Sequence, residues 1–183
     1  MKTAIDGKLA RRIDRYSIEN GMPSMVLMER AALCTAECVK NITKNKNLRK
    51  NVIAVCSVGN NGADGLAAIR MLKADGYNCK ALIIGNTELA TEEFKAQLGL
   101  IHFWGIPVKQ WEEDIHADIF DEYNIIVDAV FGIGLSRNVE GEYARLVECI
   151  NEAYGTVGAV DIPSGINSAS GAVMGKAVRA DYT

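Results

Sequence analysis

Three polar turns, each following an apolar run, hold the residues of this sequence that could do chemistry. The first is Asn60-Asn61-Gly62-Ala63-Asp64, which follows the run from Val52 to Cys56. Its small side chains leave backbone N–H groups free just ahead of a helical pattern, where the positive end of a helix dipole can bind an anionic or strongly polar ligand. The alternative is an ordinary strand-to-helix turn, in which Asn and Gly serve only for their tolerance of left-handed backbone angles.

The other two turns also follow predicted strands and also carry carboxyl groups. A strand over Asn124 to Val130 includes Asp128 and runs into the glycine-containing segment Gly132 to Asn138. A strand over Thr156 to Val160 ends at the segment Asp161-Ile162-Pro163-Ser164-Gly165. In an open parallel sheet, ligands bind beyond the carboxyl ends of the strands. We therefore expect the three turns to converge on one crevice.

The elements that must position these turns alternate between strand and helix patterns. Further strands are predicted at Cys79 to Ile84 and, toward a sheet edge, at Ile106 to Val108. Helical spacing of apolar residues predicts helices over Ile5 to Ile18, Met25 to Ile42 with Ser24 as cap, Asp64 to Leu72, Thr91 to Phe103 with Thr91 as cap, and Gly141 to Ile150, with a helical turn at Ile115 to Phe120. This alternation predicts an α/β fold with a doubly wound, mostly parallel sheet covered by helices on both faces.

The predicted second helix carries an apolar stripe that admits two interpretations. The stripe runs through Met25, Leu27, Met28, Ala31, Cys34, Cys38 and Ile42. Its spacing favours packing in the core, whereas Met25 and Met28 could instead form a mobile rim above a ligand site.

Length and composition favour one domain, residues 1–183, and exclude several functions. The net charge of −3 argues against a nucleic-acid binder. Five cysteines without CxxC spacing indicate reduced, mostly buried thiols, and two histidines are too few for a histidine-rich metal cluster or a plausible Ser-His-Asp hydrolase. No apolar stretch approaches the ~20 residues of a membrane span and no signal peptide is evident, so we expect a cytoplasmic protein without a membrane partner.

Four segments resemble, in order and spacing, the signatures of the YjeF N-terminal domain family, the NAD(P)H-hydrate epimerases. They read GMPSMVLMERAA, VGNNGADGLAAIRML, VDAVFGIGLSRNVEGEY and VDIPSGINSASG. The resemblance implies a Rossmann-like three-layer α/β/α sandwich. It also implies an isomerase that interconverts the R and S forms of hydrated NADH and NADPH (NADHX and NADPHX), so that a stereospecific dehydratase can recover the cofactor.

The resemblance also implies the residues of the site and one potassium ion per subunit. Asn61, Asp128 and Ser164 would hold the ion. The substrate would contact Asn60, Asn61, Gly62, Ala63, Asp64, Gly132, Ile133, Gly134, Leu135, Ser136, Arg137, Asn138 and Asp161.

We assign the acid and base steps of such a reaction to Asp161. A carboxyl group that protonates the departing hydroxyl and deprotonates the returning water needs partial burial, which raises its pKa. Alternatively, Asp161 only caps the turn at Pro163. Asp128 could balance its buried charge with the ion, or could instead accept N–H bonds from the loop Gly132 to Gly134. Arg137 could approach a phosphate or be simply solvated.

Departures from the family pattern bear on affinity and on the preference between NADHX and NADPHX. Val58 replaces a usual proline and Ala63 a usual glycine, while Ile133 and Asn138 replace residues of the usual GTGLSRP segment. Ala63 is tolerable if its φ is negative and damaging if it is positive.

Two other classes of protein remain open from the sequence. One is a nicotinamide-dependent oxidoreductase, although the first turn lacks the GxGxxG pattern. The other is a non-catalytic dimerising scaffold or binding module of the same fold, against which the joint presence of Asp64, Asp128, Asp161 and Ser164 argues.

The family resemblance also suggests partners and a longer domain. It implies a homodimer and an ADP- or ATP-dependent dehydratase, fused or separate, as pathway partner. Because Ala180 to Thr183 reads as the opening of a strand, we expect the domain to be truncated at this end.

Overall fold

The computed structural model describes residues 6–183 and contains one parallel sheet of five strands. The strands are β1 (Asn51–Ser57), β2 (Asn78–Ile84), β3 (Val108–Gln110), β4 (Ile125–Ala129) and β5 (Thr156–Ala159). Their order in the sheet is β3-β2-β1-β4-β5, with every neighbouring pair parallel. The parallel, doubly wound sheet predicted from the sequence is confirmed. Its winding proceeds from β1 to β3 on one side and continues with β4 and β5 on the other, so the switch point lies between β1 and β4.

Helices cover both faces of the sheet and confirm the three-layer α/β/α sandwich. They are α1 (Gly7–Glu19), α2 (Ser24–Asn45), α3 (Asn60–Ala74), α4 (Glu92–Phe103) and α5 (Gly141–Glu152), with short 3₁₀ helices at Thr87–Leu89 and Ala117–Phe120. One core lies between the sheet and α2, α3 and α4, and a second lies between the sheet and α5 with the second 3₁₀ helix. Within residues 6–183, no helix combines the length and apolar character that crossing a membrane requires.

Strand β1 supplies side chains to both cores, which explains its unbroken apolar sequence. Val52, Ala54 and Cys56 pack into the core under α2 and α3, while Ile53 and Val55 pack into the core under α5. A strand covered on both faces has no solvent side and therefore no polar alternation. The predicted strand over Val52 to Cys56 is confirmed.

Helix α3 begins earlier than the sequence predicts. Asn60 to Ala63 form its first turn, after a Gly59 that provides no side-chain cap. A Cβ atom at Gly62 would lie 1.7 Å from the carbonyl oxygen of Ser57, so the end of β1 and the start of the helix meet too closely for any other residue. Ala63 lies inside the helix and is not among the described residues with positive φ, so its methyl group causes no backbone strain.

The prediction for α2 is wrong in two respects. Ser24 lies inside the helix rather than capping it, and its hydroxyl donates to Glu93 Oε1 at 2.6 Å. Cys34 and Cys38 are exposed, because the buried stripe follows a different face of the helix. That stripe consists of Met28, Ala32, Ala36, Val39 and Ile42.

The two methionines of the predicted stripe, and the three thiols outside α2, lie in the core or pack against it. Met28 is buried in the core and Met25 packs against it, so neither forms a rim above a ligand site. Cys56, Cys79 and Cys149 are buried, so the predicted burial of the thiols holds for three of the five.

Strand β3 lies at Val108–Gln110, whereas the sequence predicts Ile106 to Val108, so that prediction is wrong by two residues. The remaining elements follow the predictions closely. Thr91 caps α4 by accepting a bond from the Phe94 N–H at 3.3 Å. Asp6 caps α1, which begins at Gly7, and the predicted start at Ile5 lies outside the described residues. Tyr182 pairs in parallel with Gly158, as expected for the opening of a further strand.

Candidate functional site

The three predicted turns converge on one cavity of about 960 Å³ at the carboxyl ends of β1, β4 and β5. The first turn of α3 contributes Asn60, Asn61 and Asp64 to its wall. The loop after β4 contributes Gly132 to Gly134, and the turn after β5 contributes Asp161. The expected convergence is therefore confirmed.

Asp128 is fully buried within β4 and is held by three hydrogen bonds. Its Oδ1 accepts from the Ser164 hydroxyl at 2.6 Å and from the Val130 N–H at 3.3 Å, and its Oδ2 accepts from the Ser164 N–H at 2.8 Å. The Ser164 hydroxyl oxygen in turn accepts from the Phe131 N–H at 2.7 Å. Burial raises the pKa of Asp128, and these bonds oppose that rise. Asp128 thus ties the loop after β4 to the turn after β5, and does not bond the loop Gly132 to Gly134.

Asp161 lies at the cavity surface with an unusual backbone conformation. Its φ is +69°, in the left-handed region that Asp tolerates better than most residues. Its Oδ2 accepts from the Ile133 N–H at 2.7 Å, so the carboxylate is held against the glycine loop and does not cap the turn at Pro163. A Cβ atom at Gly132 would lie 2.6 Å from Asp161 Oδ2 and 3.0 Å from Asn61 Oδ1, which explains the glycine there.

The expected burial of a catalytic carboxyl is found at Asp64 and not at Asp161. The Asp161 side chain is exposed, because it lies two residues beyond the end of β5 at the mouth of the cavity. Asp64 sits in the first turns of α3, and burial, followed by the charges of Asp161 and Asp14, raises its pKa to about 7. Asp64 therefore holds its proton more strongly than an ordinary aspartate does, in the same cavity as Asp161.

The other residues predicted to contact the substrate do not all line the main cavity. Arg137 and Asn138 line a smaller cavity of about 200 Å³ on the other side of the loop, together with Leu135 and Tyr143. Ser136 lines neither cavity, while Gly62 and Ala63 are buried inside α3.

Sequence reasoning missed the contribution of α1 and α2 to the main cavity. Arg11 and Asp14 of α1 line it, as do Cys34 and Cys38 of α2. Helical periodicity alone did not distinguish these positions, because their placement depends on contacts between distant parts of the chain. The apolar pattern of α2 gave no signal at Cys34 and Cys38, because the prediction placed both in the buried stripe.

Comparison with known proteins gives the family. The model of the family described as "YjeF-related protein N-terminus" matches residues 24–183. The chain belongs to this family. The matched residues include all three turns of the YjeF N-terminal site, whereas α1, with Arg11 and Asp14, precedes them.

Relatives across the YjeF N-terminal family agree with this assignment. The chain is 40% identical over 181 residues to the NAD(P)H-hydrate epimerase of Limosilactobacillus fermentum, covering 98% of this chain and 83% of the relative. It is 41% identical over 180 residues to the NAD(P)H-hydrate epimerase of Oenococcus oeni, covering 98% and 82%. The crystal structure of the yeast protein ynu0 aligns with a TM-score of 0.85 at 26% identity, covering 98% of this chain and 78% of the yeast chain.

The residues expected to hold a potassium ion carry oxygen atoms of the kind that a monovalent cation binds. Ser164 contacts Asp128 directly, and Asn61 lines the main cavity. No oppositely charged side chain lies within ion-pairing distance of the buried Asp128 in residues 6–183, so its charge lacks a counter-ion. The Nδ2 atom of Asn61 is buried without a hydrogen-bond partner, and rotation of that amide would present its oxygen instead. With the Ser164 hydroxyl, these groups form a set of hard oxygen donors.

Proposed function

We propose that this chain is an NAD(P)H-hydrate epimerase that interconverts the R and S forms of NADHX and NADPHX. The observation that carries the proposal is the convergence of the α3 N-terminus, the glycine loop after β4 and Asp161 on one cavity. The names of the relatives supply the substrate, and the carboxyl groups supply suitable chemistry.

The reaction needs a group that moves a proton to and from a hydroxyl beside the ring nitrogen. The nitrogen lone pair helps this hydroxyl leave as water once it is protonated, and water then adds to either face of the iminium that forms. We assign the proton transfers to Asp161. One of its carboxylate oxygens is held by the Ile133 N–H, which leaves the other free to face the substrate.

Asp64 lies in the same cavity as Asp161 and can hold a proton near neutral pH. Burial raises its pKa to about 7, so both of its protonation states are populated under physiological conditions. The charge of Asp161 contributes to that rise, so the two groups share one electrostatic environment. We infer that Asp64 bonds the substrate while Asp161 exchanges the proton.

Asn61, Asp128 and Ser164 would hold one potassium ion per subunit. The ion would supply charge balance for the buried Asp128 carboxylate and would fix the two loops that this residue joins. Asp128 and Ser164 then act on the reaction by positioning the loop that carries Ile133, the residue that orients Asp161.

A coupled recovery assay tests the epimerase function. An S-specific dehydratase with its nucleotide first consumes the S form of an equilibrated hydrate mixture, and this protein is then added. We expect reduced-nicotinamide absorbance to return faster than spontaneous epimerisation allows. A rate equal to the spontaneous rate, for both NADHX and NADPHX, would reject the function.

Thermal unfolding in different salts tests the potassium site. We expect a higher melting temperature in potassium chloride than in choline chloride at equal ionic strength, because an ion that binds only the folded state stabilises it. Asp161→Asn should retain this difference, and Ser164→Ala should reduce it. Equal melting temperatures in the two salts would reject the site.

The same function implies a partner enzyme, an assembly and a compartment. We propose an ADP- or ATP-dependent dehydratase as the enzyme that consumes the product and the cytoplasm as the compartment, since all five thiols are free. We also propose a homodimer, supported by the exposed apolar residues Leu9, Ile13 and Tyr16 on one side of α1. Sedimentation equilibrium giving a monomer mass at micromolar concentration would reject the dimer.

A further inference from the structure

The main cavity carries more negative than positive side chains, although the substrate proposed above is itself anionic. Asp14, Asp64 and Asp161 line the cavity, and Arg11 is the single Lys or Arg among its described lining residues. The diphosphate of a dinucleotide is negatively charged and needs N–H donors or a cation nearby. Arg11 and the N-terminus of α3 are therefore the positive features available to it there.

Within residues 6–183, one hydrogen bond holds Arg11 beside the glycine loop, and most of its N–H donors have no partner there. Its guanidinium donates to the carbonyl oxygen of Ile133. A Cβ atom at Gly134 would lie 3.9 Å from Arg11 Nη2, so the side chain lies along the loop. The ion pairs found in residues 6–183 do not involve Arg11. A guanidinium has five N–H donors in a planar fork, which matches phosphate oxygens well.

Close packing at its first residue fixes α1 in this position. A Cβ atom at Gly7 would lie 2.5 Å from Ser168 Oγ and 3.0 Å from Ile133 Cβ, so the helix start packs closely against both residues, and a larger residue there would require Ser168 to move. The rest of α1 is largely exposed, and Gly7 is its one buried residue among those described. The helix places Arg11 and Asp14 in the wall of the cavity.

We propose that Arg11 binds the diphosphate of the dinucleotide substrate in the main cavity. The proposal rests on the proposed function for the identity of the substrate. The competing residue is Arg137, which lines the smaller cavity on the other side of the loop. Arg11 shares its cavity with Asp161, whereas Arg137 does not, so a phosphate on Arg11 lies in the same cavity as the reacting end of the substrate.

Calorimetric titration of three variants tests the proposal. The variants are Arg11→Gln, Arg137→Gln and, as matched control, Arg12→Gln, which alters an exposed arginine of the same helix outside both cavities. Each is titrated at low salt with NADH, with ADP-ribose and with reduced nicotinamide riboside, which has no phosphate.

We expect Arg11→Gln to weaken NADH and ADP-ribose about tenfold or more, as for loss of a charge-assisted phosphate contact, and to leave the riboside unchanged. Arg12→Gln should change none of them, and Arg11→Lys should restore part of the loss. An equal loss for the riboside would assign Arg11 a purely structural role and overturn the proposal.

Three other results would also overturn it: a larger loss in Arg137→Gln than in Arg11→Gln, an equal loss in Arg12→Gln, or no dinucleotide binding by the unaltered protein. None of these titrations depends on epimerisation. Binding that depends on Arg11 in a protein without epimerase activity would therefore reject the proposed function alone.

Discussion

Asp128 and Asp161 both belong to Val-Asp segments at the carboxyl ends of neighbouring strands, yet their surroundings are opposite. Asp128 is fully buried, lies inside β4 and accepts three hydrogen bonds. Asp161 is exposed, lies beyond β5 in a left-handed conformation and accepts one bond, from the Ile133 N–H. The same residue type is thus fixed in place at one strand end and accessible at the next.

This difference indicates a division of roles. A carboxylate whose oxygens are occupied by buried donors can hold a structure or a cation, but it has little freedom to exchange protons with a ligand. An exposed carboxylate with a free oxygen can do so. The accessible carboxylate also has the less favourable backbone conformation, which is consistent with strain held at functional sites.

Asp161→Asn should show the largest effect of any substitution proposed below. We expect kcat for epimerisation to fall about 10²- to 10⁴-fold, because an amide cannot donate and accept the transferred proton. Affinity for NADH and the melting temperature should change little, since the amide oxygen can still accept from the Ile133 N–H. Activity within threefold of the unaltered enzyme would remove Asp161 from the chemistry.

Asp128→Asn should chiefly lower the stability of the folded protein. Because the amide NH₂ group must face donors that now bond a carboxylate oxygen, we expect the free energy of unfolding to fall by about 2 to 3 kcal/mol. Urea denaturation measures this, with Asp161→Asn as the matched control. A loss below about 0.5 kcal/mol would show that the hydrogen bonds of Asp128 contribute little.

Asp64→Asn should change how stability depends on pH. The pKa of Asp64 is raised to about 7 in the folded protein from an ordinary value of 3.8, so the folded state binds more protons than the unfolded state between these values. Its contribution to stability is therefore complete below about pH 4 and is lost as pH rises toward 7.

The Asp64→Asn variant does not lose this stability as pH rises, because its amide does not ionise. We expect it to be more stable than the unaltered protein at pH 8 by about 2 kcal/mol and equally stable near pH 4. Urea midpoints across this range measure the difference. Parallel pH profiles for the two proteins would contradict the assigned pKa.

Glycine and alanine substitutions at positions 161 and 128 test whether the two aspartates differ in backbone strain. At position 161 the positive φ favours glycine, so Asp161→Gly should be about 1 kcal/mol more stable than Asp161→Ala. At position 128, inside a strand, the Ala variant should be the more stable of the two by about 0.5 to 1 kcal/mol. An Asp161→Ala variant as stable as Asp161→Gly, or more stable, would show that Asp161 carries no backbone strain.

The sheet and the convergence of its turns could be predicted from the sequence because their signals are local. Buried parallel strands such as β1 appear as continuous apolar runs, and glycine turns mark their ends. The doubly wound arrangement then followed from general rules on how such units connect, whereas the order of the strands was not predicted. Asn61, Asp64 and Asp161 could be placed at the site because each directly follows such a strand.

Features that depend on contacts between distant residues could not be predicted. The start of α3 at Asn60 depends on the fit of Gly62 against the Ser57 carbonyl, which no propensity scale contains. The position of Arg11 depends on its bond to Ile133, which is far away in the sequence. Likewise, the pKa of Asp64 is raised by burial in the folded protein, which the sequence motif around it does not reveal.

The most direct test of the proposed mechanism follows the hydroxyl oxygen of the substrate. Purified R hydrate is incubated with the enzyme in oxygen-labelled water without dehydratase, and the label and configuration of the hydrate are measured by chromatography and mass spectrometry. Loss of the hydroxyl and return of water predict that every S molecule formed carries solvent oxygen, and that Asp161→Asn accelerates neither process. S hydrate formed by the enzyme without solvent oxygen, or an Asp161→Asn variant as active as the unaltered enzyme, would contradict this mechanism.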